Sequence, residues 1–222
     1  MVARPILFVD HAVALGGAEH SLLMLLSHLD RDLWQPHLAC AAGPIADRAS
    51  ALGIPVHTVT LPRLRRSLHA PFDLWHGVNA LMRATRDIRT EFTVANTVRA
   101  AFYSALVAHL ERGSFVWYMR DFWLSESRPR ALWADRLMKS FLCRSARVVI
   151  TNSHATAANL PCQQKTKVIH NGIEIRSFEP THQGVDFRNR YGISLEAPVI
   201  GVVGRLRPWK GQDRFLRVLK IV

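Results

Sequence analysis

The sequence has only three cysteines, Cys40, Cys143 and Cys162, and no CxxC or Cys/His spacing among its 222 residues. A scattered, odd set argues against both a disulfide framework and a zinc site, and predicts reduced, buried thiols. Long apolar runs are also missing: no window approaches the roughly 18 uncharged apolar residues that a membrane-spanning helix needs. Nor is a secretory leader expected, because the opening MVARPILFVDH ends its apolar run in Asp10 and His11 and not in a small-residue cleavage site. It reads as a first strand, and the chain is expected to stay in the cytoplasm. Acidic residues are few, 17 Asp plus Glu against 29 Lys plus Arg, a formal charge of +12. That excess selects anionic partners, whether nucleic acid, an acidic membrane surface or phosphorylated small molecules. With no recognition helix, RNP-type aromatic strand or zinc finger in view, nucleic acid is set aside.

What the chain does have is alternation. Short β-rich runs are separated by helical patterns. The runs are PILFVD (Pro5 to Asp10), HLACAA (His37 to Ala42), VHTVTL (Val56 to Leu61), FTVAN (Phe92 to Asn96), FVWYM (Phe115 to Met119), RVVITN (Arg147 to Asn152), KVIHNG (Lys167 to Gly172) and VIGVVG (Val199 to Gly204). The clearest helices are expected over Ala18 to Leu29, Leu74 to Arg89, Arg99 to Glu111 and Pro129 to Cys143. Continuous apolar strands with helices between them imply a parallel sheet covered on both faces, a doubly wound α/β fold. From Arg176 to Glu196 the composition turns polar, with one short helix expected near Val185 to Tyr191. This divides the chain into a domain over 1–176, a linker over 177–197 and, over 198–222, the first strand, loop and helix of a second domain.

Two glycine-containing loops follow strands. After the first, Gly16-Gly17 opens an amphipathic helix with Leu22, Leu25, Leu26 and Leu29 on one side. Paired glycines let a ligand approach the backbone, and the helix amino end offers N–H groups and partial positive charge to an anion. The plain alternative is a flexible turn in which Glu19 favours the helix dipole. After the last strand, VVGRLRPWKGQ places Arg205 and Lys210 five residues apart at one crevice mouth. An arginine fork and a lysine point charge suit a diphosphate. The alternative there is a solvated basic loop. The spacing fits neither a dinucleotide fingerprint nor a P-loop.

Taken together and in this order, LGGAEHSLLMLLSHL, TNSHATAANL, VIHNGIE and IGVVGRLRPWKGQ resemble the family 4 glycosyltransferases of the GT-B fold. In that family two Rossmann-like domains face each other, the first mainly holding the acceptor and the second a nucleotide-diphosphate sugar. The resemblance covers the first domain and only the opening unit of the second, so a truncated donor domain is expected. It implies that Arg205 and Lys210 clamp the diphosphate and that Gly16 and Gly17 meet the transferred sugar or its phosphate. The family's Glu-x7-Glu element would fall beyond Lys210, where no glutamate follows. It also implies retention of anomeric configuration, with no cofactor or metal beyond the nucleotide-sugar substrate. Many members carry His-Asp or His-Glu where this chain has Arg120 and Asp121. Arginine cannot act as imbidazole does, but it can steady charge on a leaving phosphate or grip an anionic acceptor. An ion pair at a loop mouth is the structural alternative.

Other candidates are weaker. His11, Glu19 and Asn171 line the same expected cleft, with Asn171-Gly172 read as a tight turn of positive φ. The Asp-x-Asp of Asp30 to Asp32 falls after a helix, at the end of the sheet away from the expected site, and reads as a helix terminus. No serine or cysteine has a visible base partner. Two basic segments are candidates for contact with an anionic membrane: a loop with Arg63, Arg65 and Arg66, and a helix with Trp133, Arg136 and Lys139. The function expected is transfer of a hexose to a lipid-linked or surface-polysaccharide acceptor, with the isolated chain inactive. The competing expectation is a non-catalytic binding module whose donor half comes from a partner chain.

Overall fold

The computed structural model describes residues 2–63, 69–90, 92–120, 132–175, 183–204, 206 and 210–220, without the side chains of 132, 133 and 183. The expected alternation is present. Strands β1 (Arg4–Val9), β2 (Trp34–Cys40), β3 (Val56–Thr58), β4 (Phe92–Ala95), β5 (Ser114–Met119), β6 (Val148–Thr151) and β7 (Thr166–Val168) form one sheet. Its order is β3-β2-β1-β4-β5-β6-β7, and every pairing is parallel. Helices α1 (Gly17–His28), α2 (Pro44–Ala51), α3 (Ala70–Ile88), α4 (Val98–Glu111), α5 (Leu132–Ser145) and α6 (His154–Ala158) provide the crossovers.

Period-two alternation explains why the strands are apolar throughout. In β1, Ile6 and Phe8 join a core with Leu22, Leu23 and Leu26 of α1 and Ile45 and Ala49 of α2. Leu7 and Val9 face the other way, into a core with Val78 and Leu81 of α3, Ala101 and Ala105 of α4, and Leu142 of α5. Both faces of the strand are therefore dry, as a doubly wound sheet requires. Each large aliphatic or aromatic side chain so buried contributes about 1.5–3 kcal/mol. α4 buries the small residues Ala100, Ala101, Ser104 and Ala105 together with Tyr103 and Val107. Thr97 starts it by accepting a hydrogen bond from the Ala100 N–H at 3.3 Å.

The chain divides into two compact units, Met1–Ile173 and Glu174–Val222. The second has α7 (Gln183–Tyr191), close to the helix expected over Val185 to Tyr191, and α8 (Gln212–Val218). The strand expected over Val199 to Gly204 is not there. Val199, Ile200, Val202 and Val203 are exposed and pair with no neighbour among the described residues. A β-rich sequence becomes a strand only when another strand satisfies its backbone, and none of the described residues of this unit does so.

Two further expectations are corrected. Cys143 and Cys162 are not free thiols but a disulfide, with Cα atoms 5.7 Å apart and a sequence separation of 19. The end of α5 and the segment before β7 converge because β6 and β7 are neighbours, and that proximity is invisible to a search for CxxC spacing. Cys40 is free and buried, as expected. Gly172 does not occupy the left-handed region, so Asn171-Gly172 is not a positive-φ turn.

Among the described residues no helix is long and apolar enough to cross a membrane.

Candidate functional site at the carboxyl ends of the strands

The sheet reverses its winding between β1 and β4, and α/β sheets bind ligands at such a point, beyond the strands' carboxyl ends. A polar residue stands where each strand leaves the sheet there: Asp10 after β1, Asn96 after β4, Arg120 after β5 and Asn152 after β6. All four join in one network. The Arg120 Nε donates to Asn96 Oδ1 at 2.7 Å, and Nη1 donates to Ser21 Oγ at 2.7 Å and Asn171 Oδ1 at 3.1 Å. Ser21 also donates to Asn171 at 3.2 Å. The guanidinium lies 3.8 Å from the centre of the Tyr118 ring, and its backbone carbonyl accepts from Asn152 Nδ2 at 2.9 Å. Four contacts fix the side chain, yet Nη2 is buried with no hydrogen-bond partner among the described residues. Burial lowers the arginine's pKa, while Tyr118, Asp10 and Glu19 act against that lowering. The result is a desolvated, oriented cation with one donor nitrogen unused.

Asp10 lies beneath it, fully buried. Its Oδ1 accepts the Ala12 N–H at 2.8 Å, and its Oδ2 accepts Asn96 Nδ2 at 2.6 Å. Burial still pushes its pKa up to about 6, because desolvation outweighs those donors and Glu19 adds to the rise. Asn96 thus has its nitrogen on a carboxylate and its oxygen on a guanidinium, an orientation that cannot be reversed without facing like groups.

At the start of α1, the buried Glu19 accepts the Gly16 N–H at 2.7 Å. A Cβ on Gly16 would sit 2.8 Å from Glu19 Oε2, so a side chain there would press this carboxylate away from the cap. A Cβ on Gly17 would meet nothing within 4 Å, which leaves the first turn of the helix open. His11 lies on the α4 side, hydrogen-bonded through Nδ1 to Thr97 Oγ1 at 2.6 Å. Burial, and then the charge of Arg99, lower its pKa to about 4, so the ring is neutral at pH 7.

The structure therefore gathers Gly16, Glu19, Arg120 and Asn171 into one site, with His11 at its flank. Asp121, Arg205, Arg65 and Arg66 lie outside the described residues, as does the Trp133 side chain. Lys210 is exposed in the second unit, and Arg63 and Arg136 are exposed in the first. Lys139 is a correction: it is buried and bonds Asp135 Oδ2 at 2.8 Å and Asn159 Oδ1 at 2.7 Å, so it presents no charge to a membrane. Asp10, Ser21, Asn96, Tyr118 and Asn152 were missed. Three of them had a visible signal, since Asp10, Asn96 and Asn152 are the polar letters that close the runs PILFVD, FTVAN and RVVITN.

Residues 15–177, well over half of the chain, match Glycosyltransferase Family 4. The chain belongs to that family. Among solved structures, Anabaena Alr3699/HepE in complex with UDP-glucose superimposes with a TM-score of 0.76 at 24% identity, over 97% of this chain and 57% of that one. The same protein with UDP and glucose gives 0.74 at 26% identity, over 96% and 57%. A glycosyltransferase from Rickettsia africae ESF-5 gives 0.71 at 15% identity, over 98% and 57%. This family 4 chain thus spans little more than half the length of those structures. No curated protein matches it. The seven-stranded parallel sheet is that of the GT-B glycosyltransferases among these neighbours.

Proposed function

We propose that this chain provides the acceptor-side domain of a nucleotide-sugar glycosyltransferase. The reaction moves a hexose from a nucleotide-diphosphate sugar to a hydroxyl of a lipid-linked or surface-polysaccharide acceptor, with retention of anomeric configuration and no metal. The hydroxyl oxygen forms the new bond to the anomeric carbon, the old bond to the diphosphate oxygen breaks, and the hydroxyl proton is released. Negative charge therefore grows on the leaving diphosphate, and a fixed donor aimed at that charge is worth most in the transition state.

The observation that carries this proposal is Arg120. Its Nη2 is buried without a partner among the described residues, while its other nitrogens are held by Asn96, Ser21 and Asn171. An unused guanidinium donor in a desolvated crevice, beside a helix amino end opened by Gly17, fits a phosphate oxygen. In the second unit, Lys210 and Arg205 are assigned to the diphosphate. The side chains of Phe72 and Trp75 are 64% and 60% exposed at the start of α3. With Arg63 nearby in sequence, they are assigned to an anionic membrane surface on the cytoplasmic side.

Titration of the 222-residue chain with nucleotide sugars, read at the Arg120 side-chain NMR signals, tests the proposal. Perturbation at Arg120 with millimolar affinity, about −4 kcal/mol, is expected, together with no turnover by the chain alone. No change at Arg120 with millimolar nucleotide sugar would overturn its role. Micromolar binding abolished by Lys210→Ala would show a complete donor site and overturn the expected inactivity.

A further inference from the structure

Arg120 does not stand alone in the crevice. It is one charge in a cluster that also contains two buried carboxyl groups, Asp10 and Glu19, both of which act on it electrostatically. Glu19 is occupied with the Gly16 N–H. Asp10 is tied to the guanidinium through one intervening amide, Asn96, whose contacts to the two groups are 2.6 and 2.7 Å. An anion arriving at the unused Nη2 would bring further negative charge into a partly desolvated site where a carboxylate is already enclosed. Desolvated sites relieve such crowding by taking up a proton.

We propose that anion binding at Arg120 is coupled to uptake of one proton by Asp10. This rests on Arg120 receiving an anion, as argued above, and adds that the crevice exchanges charge with solvent when it does so. The other groups facing Asp10 do not supply that proton site. His11, which follows it on the chain, is held neutral with its pKa lowered to about 4. Cys40, at the end of β2, has its thiol pushed up to about 12 by burial and by Asp10 itself, and stays neutral too. Arg120, from β5, keeps its proton at all working pH values. Glu19, from α1, has an oxygen committed to the helix cap, and Asn96, from β4, does not titrate. Asp10, with its pKa already raised to about 6, is the group nearest to changing its charge at neutral pH.

The coupling has a chemical use. The diphosphate of a nucleotide sugar has two negative charges, and the nucleoside diphosphate left after transfer has a third when fully ionised. A crevice that gains a proton as negative charge builds next to it holds the product diphosphate more tightly at low pH and releases it more readily at high pH.

Sulfate tests this, because it remains a dianion across the range in which Asp10 titrates. The 222-residue chain is titrated with sulfate at constant ionic strength at pH 5.5 and 7.5, and binding is read at the Arg120 side-chain NMR signals. Affinity is expected to be severalfold higher at pH 5.5, and Asp10→Asn is expected to fix it near the low-pH level. The histidines also charge over this range, so the measure is the difference in slope between wild type and Asp10→Asn. Should that variant fail to fold, the carbon-13 titration of the Asp10 carboxyl in the wild-type chain gives the same information. Saturating sulfate should raise its midpoint by about one unit, the shift that corresponds to a roughly tenfold preference of sulfate for the protonated form. An unmoved midpoint, or equal slopes in wild type and variant, would overturn the coupling while leaving the anion site in place. No sulfate binding at Arg120 at either pH would remove the anion site and the coupling together.

Discussion

Lys139 looked from the sequence like one of the cations edging a membrane-facing helix, and the structure places it inside. Its side chain is 3% exposed, its Asp135 partner is 5% exposed, and the ion pair measures 2.8 Å. At an effective dielectric of 20, two unit charges at that separation attract by about 6 kcal/mol. Taking both ions out of water costs several kcal/mol each, so the intact pair is near balance. Removing one member is different. Lys139→Ala would leave the Asp135 carboxylate buried, with Oδ2 stripped of its partner and Oδ1 already without one. The expected loss is about 3–5 kcal/mol, which for a domain of this size lowers the melting temperature by roughly 10 °C. The double change Asp135→Leu with Lys139→Met should recover most of that loss, because it removes both charges together. Thermal unfolding by circular dichroism measures the effect, and cosedimentation with anionic vesicles at low temperature measures the surface role. The reasoning fails if Lys139→Ala melts with the wild type and loses vesicle binding, since that is how an exposed lipid-contacting lysine behaves.

Three other expectations follow from particular contacts. Gly77→Ala would place a Cβ 2.5 Å from Tyr103 Cε1 and 3.0 Å from Pro62 Cδ; since Tyr103 is fully buried and donates to Pro62 O, the helices must move apart. Despite better helix propensity, a net loss of about 1–3 kcal/mol by urea denaturation is expected, and unchanged stability would refute it. For Asp10 the folded pKa is raised from 3.8 to about 6, so its burial costs nothing below the unfolded value and an increasing amount as pH rises through about 6. Relative to wild type, Asp10→Asn should therefore gain roughly 3 kcal/mol between pH 4 and pH 7, and an equal difference at both would refute it. Binding to anionic vesicles should weaken steeply as salt is raised toward 0.5 M and fall with Trp75→Ser; salt-independent binding, or equal binding to neutral vesicles, would count against lipid contact.

The fold was legible because its signal is local. PILFVD, FTVAN and RVVITN announce strands by composition, and seven such runs with helices between them leave few alternatives to a parallel sheet. VIGVVG carried the same local signal and is not a strand, because pairing is a property of neighbours that one run cannot declare. Cys143 and Cys162 show the converse: each looks isolated in sequence, and only the juxtaposition of β6 and β7 brings them within bonding distance. Lys139 failed for a related reason, since its position beside apolar residues fits a lipid-facing helix edge as well as a core with an internal ion pair. Only the partner, Asp135 one turn earlier, separates the two.

The site divides along the same line. Arg120 could be found from its place after an apolar strand, but its significance rests on contacts that span the chain: 24 residues to Asn96, 99 to Ser21 and 51 to Asn171. Asp10 is separated from Asn96 by 86 residues, and the two meet only because winding reverses between β1 and β4. An enclosed carboxylate with a raised pKa opposes folding at neutral pH, and an arginine nitrogen buried with no partner among the described residues opposes it as well. A core built for stability alone would have neither, since an apolar residue at position 10 or a shorter side chain at position 120 would remove both costs. That two such costs occur side by side, at the one point of the sheet where α/β folds bind ligands, is why the cluster is assigned to an anion and not to the architecture that surrounds it.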